Sequence, residues 1–144
     1  MPMSSKLDLL AKLPLFSACT PKELREIARL ATKISALEGE VLAKEGGLGR
    51  EFFVIADGKA RVILKGDEIA VLGPGDFFGE MALLDQGPRA ASVVAASPMV
   101  LYVIDARGFG DLIERVPFVA RRILRGLSER LRAAEGAPTY IWNR

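Results

Sequence analysis

The spacing of hydrophobic and polar residues along this chain changes twice. Up to Ala31 the apolar residues recur at helical intervals. Leu7, Leu10, Ala11 and Leu13 form a first segment that Pro14 stops, and Leu24, Ile27, Ala28, Leu30 and Ala31 form one face of a second. Thr20 can cap this second segment, Pro21 takes its first helical position, and Glu23 stands three residues beyond the cap to complete a capping box. From Thr32 the period falls to two. Short runs at 33–37, 41–43, 51–56, 60–64, 68–72, 91–95 and 99–104 read as strands, separated by Glu38-Gly39, Gly46-Gly47, Asp57-Gly58, Lys65-Gly66-Asp67, Gly73-Pro74-Gly75-Asp76 and Ser97-Pro98. Many short strands with such punctuation predict an antiparallel sandwich or barrel. Asp57-Gly58, between Phe53-Val54-Ile55 and Val62-Ile63-Leu64, predicts a tight hairpin.

At Asp105 the helical period returns. Phe109, Leu112 and Ile113 mark one helix, and Pro117 opens a longer one whose apolar stripe runs through Val119, Ala120, Ile123, Leu124, Leu127 and Leu131. Arg121, Arg122, Arg125, Arg130 and Arg132 fall largely off that stripe and read as a solvated face. Gly126 costs this helix about 1 kcal/mol relative to alanine, so it marks a bend or a close approach. Gly136 and Pro138 end the pattern.

Composition narrows the function classes. With 144 residues, half of them hydrophobic and 26% charged, the chain is expected to fold as one domain with a proper core. A net charge of +2 gives no footprint for nucleic acid. The single Cys19 excludes an internal disulfide and fits a reducing compartment. The absence of histidine removes Ser-His and Cys-His nucleophiles and every imidazole metal site, so no enzyme and no cofactor are expected. The polar start at Met1-Pro2-Met3-Ser4 is not a secretory signal, and no apolar run approaches a bilayer span; a cytoplasmic protein without membrane insertion is expected.

The chemistry concentrates in residues 77–93. Gly79-Glu80 opens a predicted one-turn helix, Gly87-Pro88 turns the chain after it, and Arg89 stands just before a strand. Free backbone N–H groups in a first helical turn attract an anion, and an arginine adds a full charge with a fork of donors. Glu80 would repel a phosphate but accepts hydrogen bonds from hydroxyls. Together the two residues imply one ligand carrying both a sugar hydroxyl and a phosphate.

The order of helices, β-barrel and two C-terminal helices, with Phe78-Gly79-Glu80-Met81-Ala82-Leu83 and Pro88-Arg89-Ala90-Ala91-Ser92-Val93 inside the barrel, resembles the cyclic nucleotide-binding domain family. The likeness runs from Leu13-Pro14-Leu15-Phe16 through Arg132. It implies a mainly β, α+β fold over 1–144: a helical segment at 1–31, an antiparallel jelly-roll-like β-barrel at 32–104 with a phosphate-binding cassette at 78–93, two helices at 105–135 and a tail at 136–144. By that resemblance Glu80 would accept from the ribose 2′-hydroxyl, Arg89 would neutralise the cyclic phosphate, and the N–H groups of Ala82 and Ala90 would complete the phosphate shell. Gly79, Met81, Ala91 and Ser92 belong to the same cassette. Leu64, Ala70 and Leu72 are expected to wall the sugar and base.

Relatives that favour guanine often place a hydroxyl residue directly after the arginine, where this chain has Ala90; cyclic AMP is therefore the expected ligand, with cyclic GMP the alternative. The family's mechanism is a population shift in which the C-terminal helix closes as a lid, here at Leu124, Arg125 and Ser128. Tyr140 and Trp142 would stack on the base if the tail folds back, or pack elsewhere. A separate protein effector is implied, or a longer parent chain, since little sequence follows the last helix. The helix stripe also suits a homodimer. Two other readings stand beside this one: Glu80 and Arg89 pair with each other in a barrel that serves only as an interaction module, or the barrel is a cupin-type enzyme, which the lack of histidine disfavours.

Overall fold

A computed structural model describes residues 3–135. Gly136, Pro138, Tyr140 and Trp142, with the tail at 136–144, lie outside the described residues. Helix α1 (Met3–Ala11) is followed by a 3₁₀ turn at Pro14–Phe16 and helix α2 (Pro21–Leu30). Strands β1 (Thr32–Ala36), β2 (Val41–Ala43), β3 (Glu51–Asp57), β4 (Ala60–Leu64), β5 (Asp67–Leu72) and β6 (Phe77–Phe78) lead to helix α3 (Glu80–Asp85). Strands β7 (Ser92–Ala95) and β8 (Met99–Asp105) precede helices α4 (Ala106–Arg115) and α5 (Pro117–Glu135).

The strands form two antiparallel four-stranded sheets, ordered β1-β8-β3-β6 and β2-β7-β4-β5. One core lies between them. Phe53, Ile55, Phe78, Met99, Leu101 and Val103 come from the first sheet, and the small residues Ala43, Ala60, Val93 and Ala95 from the second. The other face of the first sheet is also covered, because Phe52, Val54, Phe77, Tyr102 and Ile104 pack with Ile27, Phe109, Leu112, Val119 and Ile123 of the helices. Burial on both faces explains why β3 and β8 read as nearly unbroken apolar runs, Phe52 to Ile55 and Leu101 to Ile104, where a strand covered on one face would alternate.

The helices follow their predicted caps. Thr20 Oγ1 accepts from the Glu23 N–H at 3.2 Å, and Glu23 Oε1 accepts from the Thr20 N–H at 2.8 Å. Asp105 caps α4 through the Gly108 N–H at 2.7 Å. Lys6 Nζ, on α1, donates to the Ala28 and Ala31 carbonyls at the C-terminal end of α2, at 2.6 and 2.5 Å; a cation there satisfies orphan carbonyls and suits the negative end of the helix. Among the described residues, no helix is long and apolar enough to cross a membrane.

The hairpin predicted at Asp57-Gly58 is not one. Strand β3 belongs to one sheet and β4 to the other, so this turn carries the chain across the sandwich. Gly58 has φ +87°, and a Cβ there would lie 2.3 Å from the Pro98 carbonyl oxygen. The pairing residue types and the positive φ required by a hairpin are equally suited to such a corner. The true tight hairpin joins β4 to β5 at Lys65-Gly66, both with positive φ, 51° and 86°. Strand β6, paired with β3 through Phe53 and Phe78, is too short for a periodic pattern to predict, since two residues carry no period.

Tyr102 supplies a test of the core. Its phenol oxygen is buried with no hydrogen-bond partner among the described residues, and burial raises its pKa. A buried, unsatisfied hydroxyl costs about 1–3 kcal/mol. The Tyr102→Phe variant is therefore expected to melt at or a few degrees above the parent temperature in a calorimetric scan; a clear drop in Tm would show that the hydroxyl is engaged.

Candidate functional site

The cassette is built around a left-handed glycine. Gly79, the N-cap of α3, has φ +95°, and a Cβ there would sit 2.5 Å from the Glu51 carbonyl oxygen and 2.6 Å from Arg89 Nη1. Both the conformation and the space require glycine. The turn drops Glu80 into the interior, where it is 1% exposed.

Arg89 arrives from the other side and is 7% exposed. Its backbone is fixed by the loop between β2 and β3: the Arg89 N–H donates to the Gly47 carbonyl at 2.8 Å, and the Gly46 N–H donates to the Arg89 carbonyl at 2.9 Å. A Cβ on Gly49, in the same loop, would come within 2.4 Å of Ala82 Cβ and 3.0 Å of Arg89 Nε, so that glycine makes room for both α3 and the guanidinium. Beneath Arg89 lies Phe53, its ring centroid 5.7 Å from the guanidinium carbon, itself stacked on Phe78 at 4.6 Å.

Among the described residues, Glu80 and Arg89 form no ion pair with each other. Glu80 Oε1 accepts from Arg130 Nη1 on α5, while Arg130 Nη2 donates to the Phe77 carbonyl and the guanidinium lies 4.8 Å from the Phe77 ring centroid. Glu80 Oε2 and Arg89 Nη1 are buried without a partner among the described residues. Burial pulls the Arg89 guanidinium below its ordinary pKa, and the charges of Glu51 and Glu80 pull it back up. The site thus offers one free carboxylate acceptor and one free guanidinium donor, each desolvated. Such groups are costly unless a ligand uses them, and a molecule with a hydroxyl and an anionic oxygen would use both.

The remaining predicted residues fall in several places. Ala82, in α3, is buried, Met81 and Ala90 are exposed, and Ala91 and Ser92 are half-buried. Ser92 Oγ accepts from the Glu45 N–H at 2.9 Å. Ala60 pairs with Leu72 and Val62 with Ala70, so Ala70 shares the inner face of the second sheet with buried Ala60; two residues on from Val62, Leu64 alternates to the same face. On α5, Leu124, Arg125 and Ser128 are exposed, Leu124 at 63%. Ser128 borders a shallow hollow of about 270 Å³ with Leu127, Leu131 and Arg132. A larger hollow of about 700 Å³, beside Thr20, Lys22, Glu26, Arg29 and Arg115, shares no residue with the cassette. Among the described residues no cluster of His, Cys, Asp and Glu could hold a metal ion.

Arg130 and Gly49 are the residues that sequence reasoning did not assign to the site. For Arg130 a signal existed. A Cβ on Gly126 would lie 2.6 Å from the Phe77 ring, so the helix runs against β6 at that point, and residue 130 is one turn further along the same face. Gly49 had none, because its neighbours come from distant parts of the chain.

The family model for the cyclic nucleotide-binding domain matches residues 33–116, more than half of the chain. The chain belongs to that family. It is 36% identical over 127 residues to the cyclic AMP receptor protein of Thermus thermophilus, covering 85% of this chain and 59% of the relative. It is 37% identical over 115 residues to the cAMP-dependent protein kinase regulatory subunit of Emericella nidulans, covering 78% of this chain and 28% of that one. This cyclic nucleotide-binding domain therefore spans less than two thirds of the curated relatives it matches. Among solved structures, cAMP-bound PfPKA-R superposes with a TM-score of 0.82 at 27% identity, over 96% of this chain and 49% of that one. The Thermus thermophilus catabolite activator protein gives 0.75 at 35% identity, over 85% and 60%. The fold is thus the family's jelly-roll sandwich flanked by helices.

The contact between α5 and the cassette is directly testable. Arg130→Ala leaves Glu80 buried with no partner, and after allowance for the partial exposure of Arg130 the expected loss is about 1 kcal/mol. Urea melts should show that loss, and adding Glu80→Gln should recover part of it. A double variant no more stable than Arg130→Ala would mean that the ion pair is not what Arg130 contributes.

Proposed function

We propose that this domain is a cyclic AMP sensor with no catalytic activity of its own, and that α5 reports occupancy of the cassette. One observation carries the reading: Arg89 and Glu80 are both buried in the cassette, each with a polar atom free for a ligand that bears both an anionic oxygen and a hydroxyl. In this reading Arg89 takes the cyclic phosphate, assisted by the N–H groups of Ala82 and Ala90, and Glu80 takes the ribose 2′-hydroxyl. Gly79 keeps the approach open, and Met81, Ala91 and Ser92 complete the cassette. Leu64, Ala70 and Leu72 wall the sugar and base. The relatives support the choice of ligand, since several carry cyclic AMP in their names or their crystals. Ala90, with no hydroxyl beside Arg89, favours adenine over guanine.

A sensor needs an element with two positions, and α5 is the element already tied to a ligand-binding group. Arg130 links it to Glu80 and to the Phe77 carbonyl. A ribose hydroxyl arriving at Glu80 changes the balance of that contact, and α5, with Leu124, Arg125 and Ser128 on its exposed side, shifts its population in response. The exposed side then meets a separate effector or a second copy of the chain. An alternative is an interaction module that binds no nucleotide. One structural neighbour, at 20% identity, is the regulatory subunit of a cAMP-independent protein kinase A, a likeness of fold alone.

Calorimetric titration separates the two. Cyclic AMP is expected to bind in the micromolar range or tighter and more strongly than cyclic GMP. Arg89→Ala should weaken it by about 100-fold, as expected for loss of charge-assisted hydrogen bonds. Glu80→Ala should weaken cyclic AMP far more than its 2′-deoxy analogue. No heat with either nucleotide from a folded sample would sink the sensor reading, and equal losses for the two sugars would remove Glu80 from its role.

A further inference from the structure

We propose that Glu45 is a positioning residue that ties the wall of the ligand site to its phosphate end; this rests on the nucleotide reading of the cassette. The β4–β5 hairpin carries Leu64 and Ala70 and lies at the edge of its sheet. Strand β7 supports β4 only as far as the pair Ile63 and Ser92, so Leu64 and the turn at Lys65-Gly66 project beyond their last neighbouring strand. Lys65 is also held at φ +51°, a conformation uncommon for a residue with a side chain.

Glu45 meets this overhang. Its Oε1 accepts from the Lys65 N–H at 2.9 Å, and its own N–H donates to Ser92 Oγ at 2.9 Å. The next two residues of its loop make the backbone bonds to Arg89, from Gly46 N–H and to the Gly47 carbonyl. One short loop therefore holds the hairpin tip, the start of β7 and the phosphate arginine. The carboxylate of Glu45 is the side chain that adds the hairpin to this set. It reaches 20 residues along the chain to do so, and no exposed ion pair competes for it among the described residues. Releasing it frees the wall that carries Leu64 while leaving the bonds to Arg89 intact.

The two functions of the site should then separate. Binding of cyclic AMP and of ribose 3′,5′-cyclic phosphate, which lacks the base, is measured by competition on the full chain carrying Glu45→Ala or Glu45→Gln, with amide hydrogen exchange followed at Lys65. Glu45→Ala is expected to keep its Tm within a few degrees, to speed exchange at Lys65 about 10-fold, and to weaken cyclic AMP about 10-fold with the base-free ligand unchanged, the range expected for one hydrogen bond to a charged group. Glu45→Gln should restore both, because an amide oxygen accepts the same N–H. Unchanged exchange at Lys65, equal losses for the two ligands, or a Gln variant as poor as Ala would overturn the proposal. If the parent protein binds neither ligand, the sensor reading and the positioning role fall together, while protection at Lys65 still decides whether the tether exists.

Discussion

Two opposite charges are buried in this molecule without forming an ion pair with each other among the described residues, and much of the surrounding architecture follows from holding them in place. A buried arginine is tolerated only where its charge is offset or its donors are engaged. Arg89 has the nearby charges of Glu51 and Glu80 to offset desolvation, and the Phe53 ring beneath it. Its backbone is pinned on both sides by the loop at Gly46 and Gly47. Two glycines hold open the volume around it: a Cβ on Gly79 would collide with the guanidinium, and one on Gly49 would collide with Ala82 and crowd Nε. Replacing such a group with a well-packed apolar one is often neutral or stabilising, so fold stability alone does not account for it.

The sandwich explains how such a site can be rigid. The sheet containing β3 and β8 is filled on both faces, by the inter-sheet core on one side and by the helices on the other. Strands so enclosed have little freedom, and β3 presents Phe53 beneath Arg89 from this fixed surface. Helix α5 rests on the same layer through Val119 and Ile123, then continues past β6 to bring Arg130 to Glu80. The first part of α5 is anchored by apolar burial, whereas its later contact with the cassette is polar and half-exposed. The two kinds of contact differ in what they touch, since only the polar one ends on Glu80, a carboxylate whose other oxygen has no partner among the described residues.

Much of this could be read from the chain before any coordinates. The capping box at Thr20 and Glu23, the cap at Asp105, the turn at Lys65-Gly66 and the separation of helical from strand segments are local in sequence, and local physics determines them. What escaped was set by pairs far apart. Asp57-Gly58 supplied the correct turn residues, but whether β3 and β4 then pair depends on which strands lie beside them, and β8 and β6 flank β3. Gly49 looked like an ordinary loop glycine because Ala82 and Arg89, its reasons for being glycine, are more than 30 positions away. Arg130 looked like one of several solvated arginines, although Gly126 one turn earlier marked the face that approaches β6.

The contrast between the two sheets accounts for where the sandwich is filled and where it is not. The first sheet turns large side chains inward, and the second answers them with alanines at 43, 60 and 95. Large against small fills the middle of the sandwich. Further along β4 and β5 the same inner face continues, yet Ala70 is exposed where Ala60 is fully buried. The second sheet therefore extends past the part of the first that packs on it. This overhang is bounded at its tip by the contact of Lys65 with Glu45, and the loop that contains Glu45 holds Arg89. The overhanging end of the second sheet and the backbone of Arg89 are thus both held by bonds from one short loop, Glu45 to Gly47, so that the position of each depends on the same few residues.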